Sequence, residues 1–243
     1  MIFDADEFVF KAPPTITRAR RVLIKPSAGY PSPYPVSTSR EMMASIIHGI
    51  REVSDTDIII LEGTPTGSPV GPVFKSLGYD FPRVLTLDVK ETTLVEVDSP
   101  LLKPLAIPTF MVPNVILSSD YLISVTPLKI IKQQGWLSIA NLLSLLPSVR
   151  YGDGAPRGWR ELFELDINMV LADLYYTMPF DLGIIEAKEI FVSDAEPDEG
   201  ESQPYGKVFT GEPYQVDREV SQALGIKTEY LRLIDEARVD LEV

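Results

Sequence analysis

The sequence has no cysteine and a single histidine among its 243 residues, and its 22 bases are outnumbered by 35 acids. Each shortage removes chemistry. Without cysteine there is no disulfide framework, thiolate nucleophile, cysteine-ligated zinc or thiolate-held iron–sulfur cluster. With only His48, no multi-histidine metal site forms within one chain, and any histidine-dependent triad must run through that residue. A formal charge of −13 opposes the basic face that a general nucleic-acid binder needs, so no nucleic-acid partner is expected. No apolar run reaches the ~18 residues that cross a bilayer, so no membrane span is expected either. Residues Met1 to Glu7 are acidic where a secretory signal would be basic. The expected location is cytoplasmic.

What is present is a hydrophobic share of 45%, enough for a sizeable core without staples. Charge is unevenly placed. Asp181 to Val243 holds 16 acids and 6 bases, whereas residues 1–40 hold 6 bases and 3 acids. The negative charge therefore reads as a solvated acidic loop plus a charged C-terminal helix. It leaves room for a lysine-bearing site in the first half of the chain.

Patterning supplies the elements. Arg21 to Lys25 is a short β-rich run, and Pro26, Pro31, Pro33 and Pro35 hold the next segment extended. A capping box, Thr38 with Glu41, opens a helix on which Met42, Met43, Ile46, Ile47, Ile50 and Val53 share a ~140° arc. His48 falls on the opposite, polar face, which suits solvent better than catalysis. Asp57 to Leu61 is a continuous apolar run, as in a fully buried strand. Strand, helix and buried strand form a βαβ unit, so the two strands should be parallel.

Farther on, a short helix is expected around Val73 to Leu77, and a hairpin or two short strands over residues 83–97. Residues 106–112 are ambiguous. A strand follows at Tyr121 to Val125. Helices are expected near 135–146 and 159–177, flanking the glycine-rich segment 151–158. Strands at Leu182 to Glu186 and Lys207 to Thr210 bracket an acidic loop at 193–204, and helices near 216–224 and 228–238 close the chain. No internal repeat or dividing linker is present. The expectation is a single α/β domain over residues 1–243, with a mixed, mostly parallel sheet and helices on both faces.

Ligands of open parallel sheets bind outside the carboxyl ends of the strands. Polar residues stand at those ends: Lys25 and Ser27, Glu62 and Gly63, Lys129, and Glu186. Within the expected helix 159–177, Asp166 and Asp173 fall on the apolar arc, where a carboxylate needs a partner. Asp166 reads as structural, capping a neighbouring loop or pairing with an arginine. For Asp173 two readings stand level: that same structural role, or a group facing a cavity with Lys25, Lys129 or a hard cation. Asn141 sits in an almost wholly apolar stretch and must find hydrogen bonds inside, most often structural ones. The loop Gly63, Gly67, Gly71 matches neither a Walker A motif nor GxGxxG and reads as an ordinary loop. The acidic run from Asp194 to Glu201 lacks EF-hand spacing and reads as solvated.

In chain order, Val22–Pro26, Ser37/Thr38, Glu62-Gly63, Leu77–Tyr79, Ser119–Val125, Pro127–Lys129, Asn141-Leu142, Asp173-Leu174, Gly206–Val208 and Val216-Asp217 form a series. It resembles the domain of unknown function 362 family over roughly residues 20–225. The resemblance implies one α/β domain, found in some members beside a ferredoxin-type iron–sulfur segment, and no established activity. This chain departs from the pattern at Ser27, where Asn is usual, and at Ile130-Ile131, where Thr-His commonly follows the lysine. It departs also at Ala140, where a lysine precedes the Asn, and at Glu186, where Asp is usual.

These readings converge on an α/β protein that binds a small carboxylate- or phosphate-bearing anion, with room for catalysis. Its candidate ligand-binding residues are Lys25, Ser27, Glu62, Gly63, Lys129, Asn141 and Asp173. No dedicated metal site is expected, although a divalent cation is an allowed cofactor. A non-catalytic interaction or assembly protein with an eroded site is the alternative, followed by a divalent-metal hydrolase built on carboxylates alone. A homo-oligomer is compatible with either.

Overall fold

A computed structural model describes residues 1–152 and 159–241. Residues 153–158 of the glycine-rich segment lie outside the described residues. The chain begins with β1 (Ile2–Asp4), β2 (Arg21–Pro26), α1 (Arg40–Val53), β3 (Asp57–Glu62), α2 (Gly71–Ser76) and β4 (Val84–Asp88). It continues through β5 (Leu94–Asp98), β6 (Thr109–Pro113), α3 (Asn114–Leu117), β7 (Tyr121–Ile131) and β8 (Gln134–Trp136) to a 3-10 turn at Ala140–Leu145. The last elements are α4 (Arg160–Glu164), α5 (Ile167–Thr177), β9 (Leu182–Ser193), β10 (Glu201–Gly211), α6 (Pro213–Leu224) and α7 (Glu229–Leu241).

The main sheet has the order β1-β10-β9-β7-β2-β3-β4, with β8 paired to the far end of β7. Strands β4, β3, β2, β7 and β9 are parallel; β10 and β8 run antiparallel to them, and β1, antiparallel to β10, runs in the direction of the parallel set. Strands β5 and β6 form a separate antiparallel pair. The βαβ expectation holds: Leu23 pairs with Ile59 and Ile24 with Ile60 in parallel register. Because side chains alternate along a strand, Val22 and Ile24 pack under Met43, Ile46 and Ile50 of α1. Leu23 faces the other way, toward Leu142, Leu171, Leu174 and Ile234. Helices therefore cover both faces, and central strands apolar on both sides follow from it.

Several elements differ from expectation for identifiable reasons. Ser39, not Thr38, caps α1 and accepts from the Met42 N–H. Val53, the last residue of α1, is 43% exposed and does not join the apolar face. The segment expected as a helix near 135–146 is strand β8 followed by the 3-10 turn. Its polar residues Ser138, Asn141 and Ser144 recur every third position. That spacing aligns on one face at three residues per turn and fans out in an α-helix. The long helix expected over 159–177 is broken in two, since Asp166 is an exposed N-cap accepting from the Asn168 N–H. Aspartate is a better cap than a helix-interior residue.

Residues 83–97 belong to two strands of different sheets, β4 and β5, and part of 106–112 forms β6. The acidic loop is shorter than 193–204, because β9 and β10 run on as a paired ribbon to Val192 and Glu201. Of the acidic run only Glu201 joins the ribbon, while Asp194, Glu196, Asp198 and Glu199 lie in the loop between the two strands. His48 lies on the exposed face as expected, beside Glu52. Among the described residues no helix is long and apolar enough to cross a membrane.

One carboxylate locks the 3-10 segment to the C-terminal helices. Asp217 of α6 is fully buried and accepts from the Ser138 N–H (2.9 Å), Ser138 Oγ (2.5 Å), the Ile139 N–H (3.0 Å) and Tyr230 Oη (2.9 Å). Burial raises its pKa to about 6, against those four hydrogen bonds. Asp217→Asn places an amide donor among four donors. Urea unfolding should show a loss of about 2–3 kcal/mol, and a loss under about 0.5 kcal/mol would mean that the cluster is not a tether.

Candidate functional site

The parallel strands deliver their last residues to one edge of the sheet. Lys25 ends β2 on the face of Leu23, beneath the 3-10 turn, and is fully buried. Its Nζ donates to Glu62 Oε2 (2.9 Å), Asn141 Oδ1 (3.0 Å) and the Pro26 carbonyl (2.6 Å). Three acceptors match the three protons of an ammonium.

Glu62, at the end of β3, is equally enclosed. Its Oε2 also accepts from the Ala28 N–H (2.8 Å), and its Oε1 accepts from the Gly63 N–H (2.9 Å) and Ser144 Oγ (2.5 Å). The Asn141 amide donates to the Lys25 carbonyl (3.2 Å), Ser124 Oγ (3.0 Å) and the Val125 carbonyl (3.3 Å). This cluster ties β2, β3, β7 and the 3-10 turn together with every polar group partnered. Gly63 permits the closeness, since a Cβ there would meet the Ser144 carbonyl oxygen at 2.6 Å.

Lys129 has a different environment. The long strand β7 carries it past the bulge at Pro127/Leu128, and the side chain is 4% exposed. Its Nζ donates to Ser27 Oγ (2.9 Å) and the Val36 carbonyl (2.7 Å), both neutral oxygens of the proline-rich segment. Among the described residues no carboxylate lies within ion-pair distance of it. Burial lowers its pKa to about 8, helped by the Lys25 charge and opposed by the fields of Glu62 and Asp198. Burial likewise lowers Lys25, against the attraction of Glu62.

Ser27 is fixed from several sides. Its N–H donates to the Val125 carbonyl and to Thr38 Oγ1, both at 2.9 Å, and its carbonyl accepts from the Thr38 N–H. Glu186, at the end of the core part of β9, sits at the N-terminus of α1. It accepts from the Ser39 N–H (3.0 Å) and Ser39 Oγ (2.6 Å), and Lys188 approaches at 3.6 Å. A carboxylate complements the positive end of a helix, while burial raises the Glu186 pKa. Tyr34 fastens the loop above by accepting from the Glu189 N–H at 2.8 Å.

The structure thus brings Lys25, Ser27, Glu62, Gly63, Lys129 and Asn141 together at one strand edge. It does not bring Asp173 to them. That carboxylate, buried on α5, is taken up by the Leu105 (2.9 Å), Ala106 (2.7 Å) and Ile107 (2.8 Å) N–H groups. It is a loop cap, because three consecutive backbone donors near a buried helix face need an acceptor. Ser124, Ser144 and Thr38 complete the cluster and were not anticipated as members of it. The spacing of Ser144 three residues after Asn141 was the available signal.

The lysines are covered, and the cavity next to Gly63, which neither of them lines, is small. It holds about 10 Å³ next to Gly63, Thr64, Asp88 and Lys90, room for a single water. The Gly63–Gly71 loop directs Thr64 Oγ1 to the Ser68 carbonyl at 2.6 Å. Among the described residues no three His, Asp or Glu side chains converge as they would around a metal ion.

The profile of the domain of unknown function DUF362 matches residues 22–221 of the chain. The chain belongs to that family. No curated protein matches the sequence. Within the matched range, Lys25, Glu62, Asn141 and Asp217 all serve as buried hydrogen-bonding hubs. Ser27, in the same range, places a hydroxyl against Lys129.

A double-mutant cycle tests the cluster. Lys25→Met and Glu62→Gln should each cost about 3–5 kcal/mol by leaving a buried partner uncompensated. The double variant should lose less than the sum by at least about 1 kcal/mol. Strict additivity in urea unfolding would show that the two groups do not act as a pair.

Proposed function

We propose that the protein binds a small oxyanion, a carboxylate- or phosphate-bearing molecule, at the carboxyl ends of β2, β3 and β7. Lys129 is the cation that meets it. The observation behind this reading is the buried Lys129 ammonium with two neutral acceptors and no carboxylate at ion-pair distance among the described residues. A buried cation without a counter-charge is costly, and a bound anion supplies that charge. Lys25 and Glu62 neutralise each other and hold the strand ends in place. Entry requires the Val36 carbonyl to leave Lys129, so the ligand replaces a protein acceptor with a charged one. The absence of cysteine fits a reducing, cytoplasmic setting.

A second reading, a non-catalytic assembly protein whose site has closed, is favoured by the saturation of Lys25, Glu62 and Asn141. In that reading Lys129 is simply neutral above its midpoint near 8.

Titration calorimetry with sulfate and with succinate, whose charges are constant above neutral pH, separates the two. Binding near neutral pH should weaken about tenfold for each pH unit above the Lys129 midpoint, because only the protonated amine is competent. Lys129→Met should lose this pH-dependent component, and Lys129→Arg should retain binding without the pH slope. The absence of any Lys129-dependent heat at millimolar anion would leave the closed-site reading.

A further inference from the structure

The edge of the sheet opposite the lysines carries a groove that the cluster above does not use. Gly211, where β10 ends, pairs with Gly183 at the start of β9, and α6 departs from there. Between the end of β10, α6 and α7 lies a surface depression of about 540 Å³, within the range of small-molecule pockets. Its lining includes Tyr214, Gln215, Arg218, Gln222 and Arg238.

Two guanidinium groups converge on one tyrosine in this groove. Arg238 stacks over the Tyr214 ring with its Cζ 4.6 Å from the centroid, and Arg218 donates to Tyr214 Oη at 3.3 Å. Tyr214 itself is buried and fixed, donating to Asp235 Oδ1 at 2.5 Å. Among the described residues neither arginine forms an ion pair with a carboxylate. The two acids that line the groove are engaged otherwise. Glu212 caps α6 through the Gln215 N–H and accepts from Tyr175 Oη, and Glu219 pairs with the Met1 amino group.

Two cations gathered at one tyrosine repel, and the neighbouring Asp235 carboxylate, taken up by Tyr214 Oη, is not at ion-pair distance from either arginine among the described residues. Guanidinium forks match the paired oxygens of carboxylate and phosphate groups. We propose that this groove is an oxyanion site, taking a small carboxylate- or phosphate-bearing ligand between Arg218 and Arg238, with Gln215 and Gln222 as flanking amide donors. It is a second site, independent of Lys129, and recognition there rests on charge that does not titrate below very alkaline pH.

The test is an NMR titration of the arginine Nε–Hε resonances with sulfate and with succinate, paired with calorimetry on variants. Both the Arg218 and Arg238 resonances should shift with a common saturating curve, unchanged in Lys129→Met and unchanged a pH unit above the Lys129 midpoint. Arg218→Gln, a substitution at an exposed position that leaves the Arg238–Tyr214 stack intact, should weaken binding about tenfold or more. Arg238→Gln should do the same if it remains folded by circular dichroism. Arginine resonances that do not move at millimolar anion would overturn the proposal. So would an Arg218→Gln variant that binds as the wild type does, or binding lost only in Lys129→Met.

Discussion

The buried contact between Lys25 and Glu62 is the interaction on which the strand edge depends. Each charge alone would be untenable at full burial, and together they are acceptable because every remaining donor and acceptor is filled. Asn141 and Ser144 reach in from the 3-10 turn, while Ala28 and Gly63 contribute backbone N–H groups. The geometry of three strand ends and one turn is thereby fixed by a single polar cluster. Hydrophobic packing around it is less directional: Leu23, Leu142 and Leu174 tolerate small shifts that the hydrogen bonds do not.

Against that rigid frame the two lysines play unequal parts. Lys25 has a carboxylate and is fully engaged. Lys129 lies close enough to feel Lys25 but, among the described residues, donates to neutral oxygens of Ser27 and Val36, and burial lowers its pKa to about 8. The asymmetry is the basis for assigning Lys129 the ligand and Lys25 the scaffold. It also accounts for the role of the proline-rich segment, which supplies both acceptors and is clamped by Thr38 and Tyr34.

Much of the central fold was legible in the sequence because it is written in patterns with one physical cause. Uninterrupted apolar runs at Val22–Ile24 and Ile58–Leu61 belong to strands covered on both faces, and the arc of Met43, Ile46 and Ile50 belongs to one helix face. The grouping of Lys25, Ser27, Glu62 and Lys129 followed from parallel strands ending together. What was not legible depended on tertiary partners. Asp173 sits on an apolar face as expected, yet which donors it meets is decided by the loop at 105–107, distant in sequence. The break at Asp166 and the 3-10 turn at Asn141 reflect local hydrogen bonding that outweighs helical periodicity. The Tyr214 groove joins α6 to α7, and neither helix announces it alone.

The central claim is that Lys129 is a buried amine with no carboxylate at ion-pair distance among the described residues. Direct titration of its side chain by NMR, with Lys129→Met used to assign the signal, tests it most closely. In anion-free protein the midpoint should fall near 8 and rise when an oxyanion is added, since the ligand favours the charged form. A midpoint at the ordinary lysine value of about 10.4, unmoved by anion, would contradict the account.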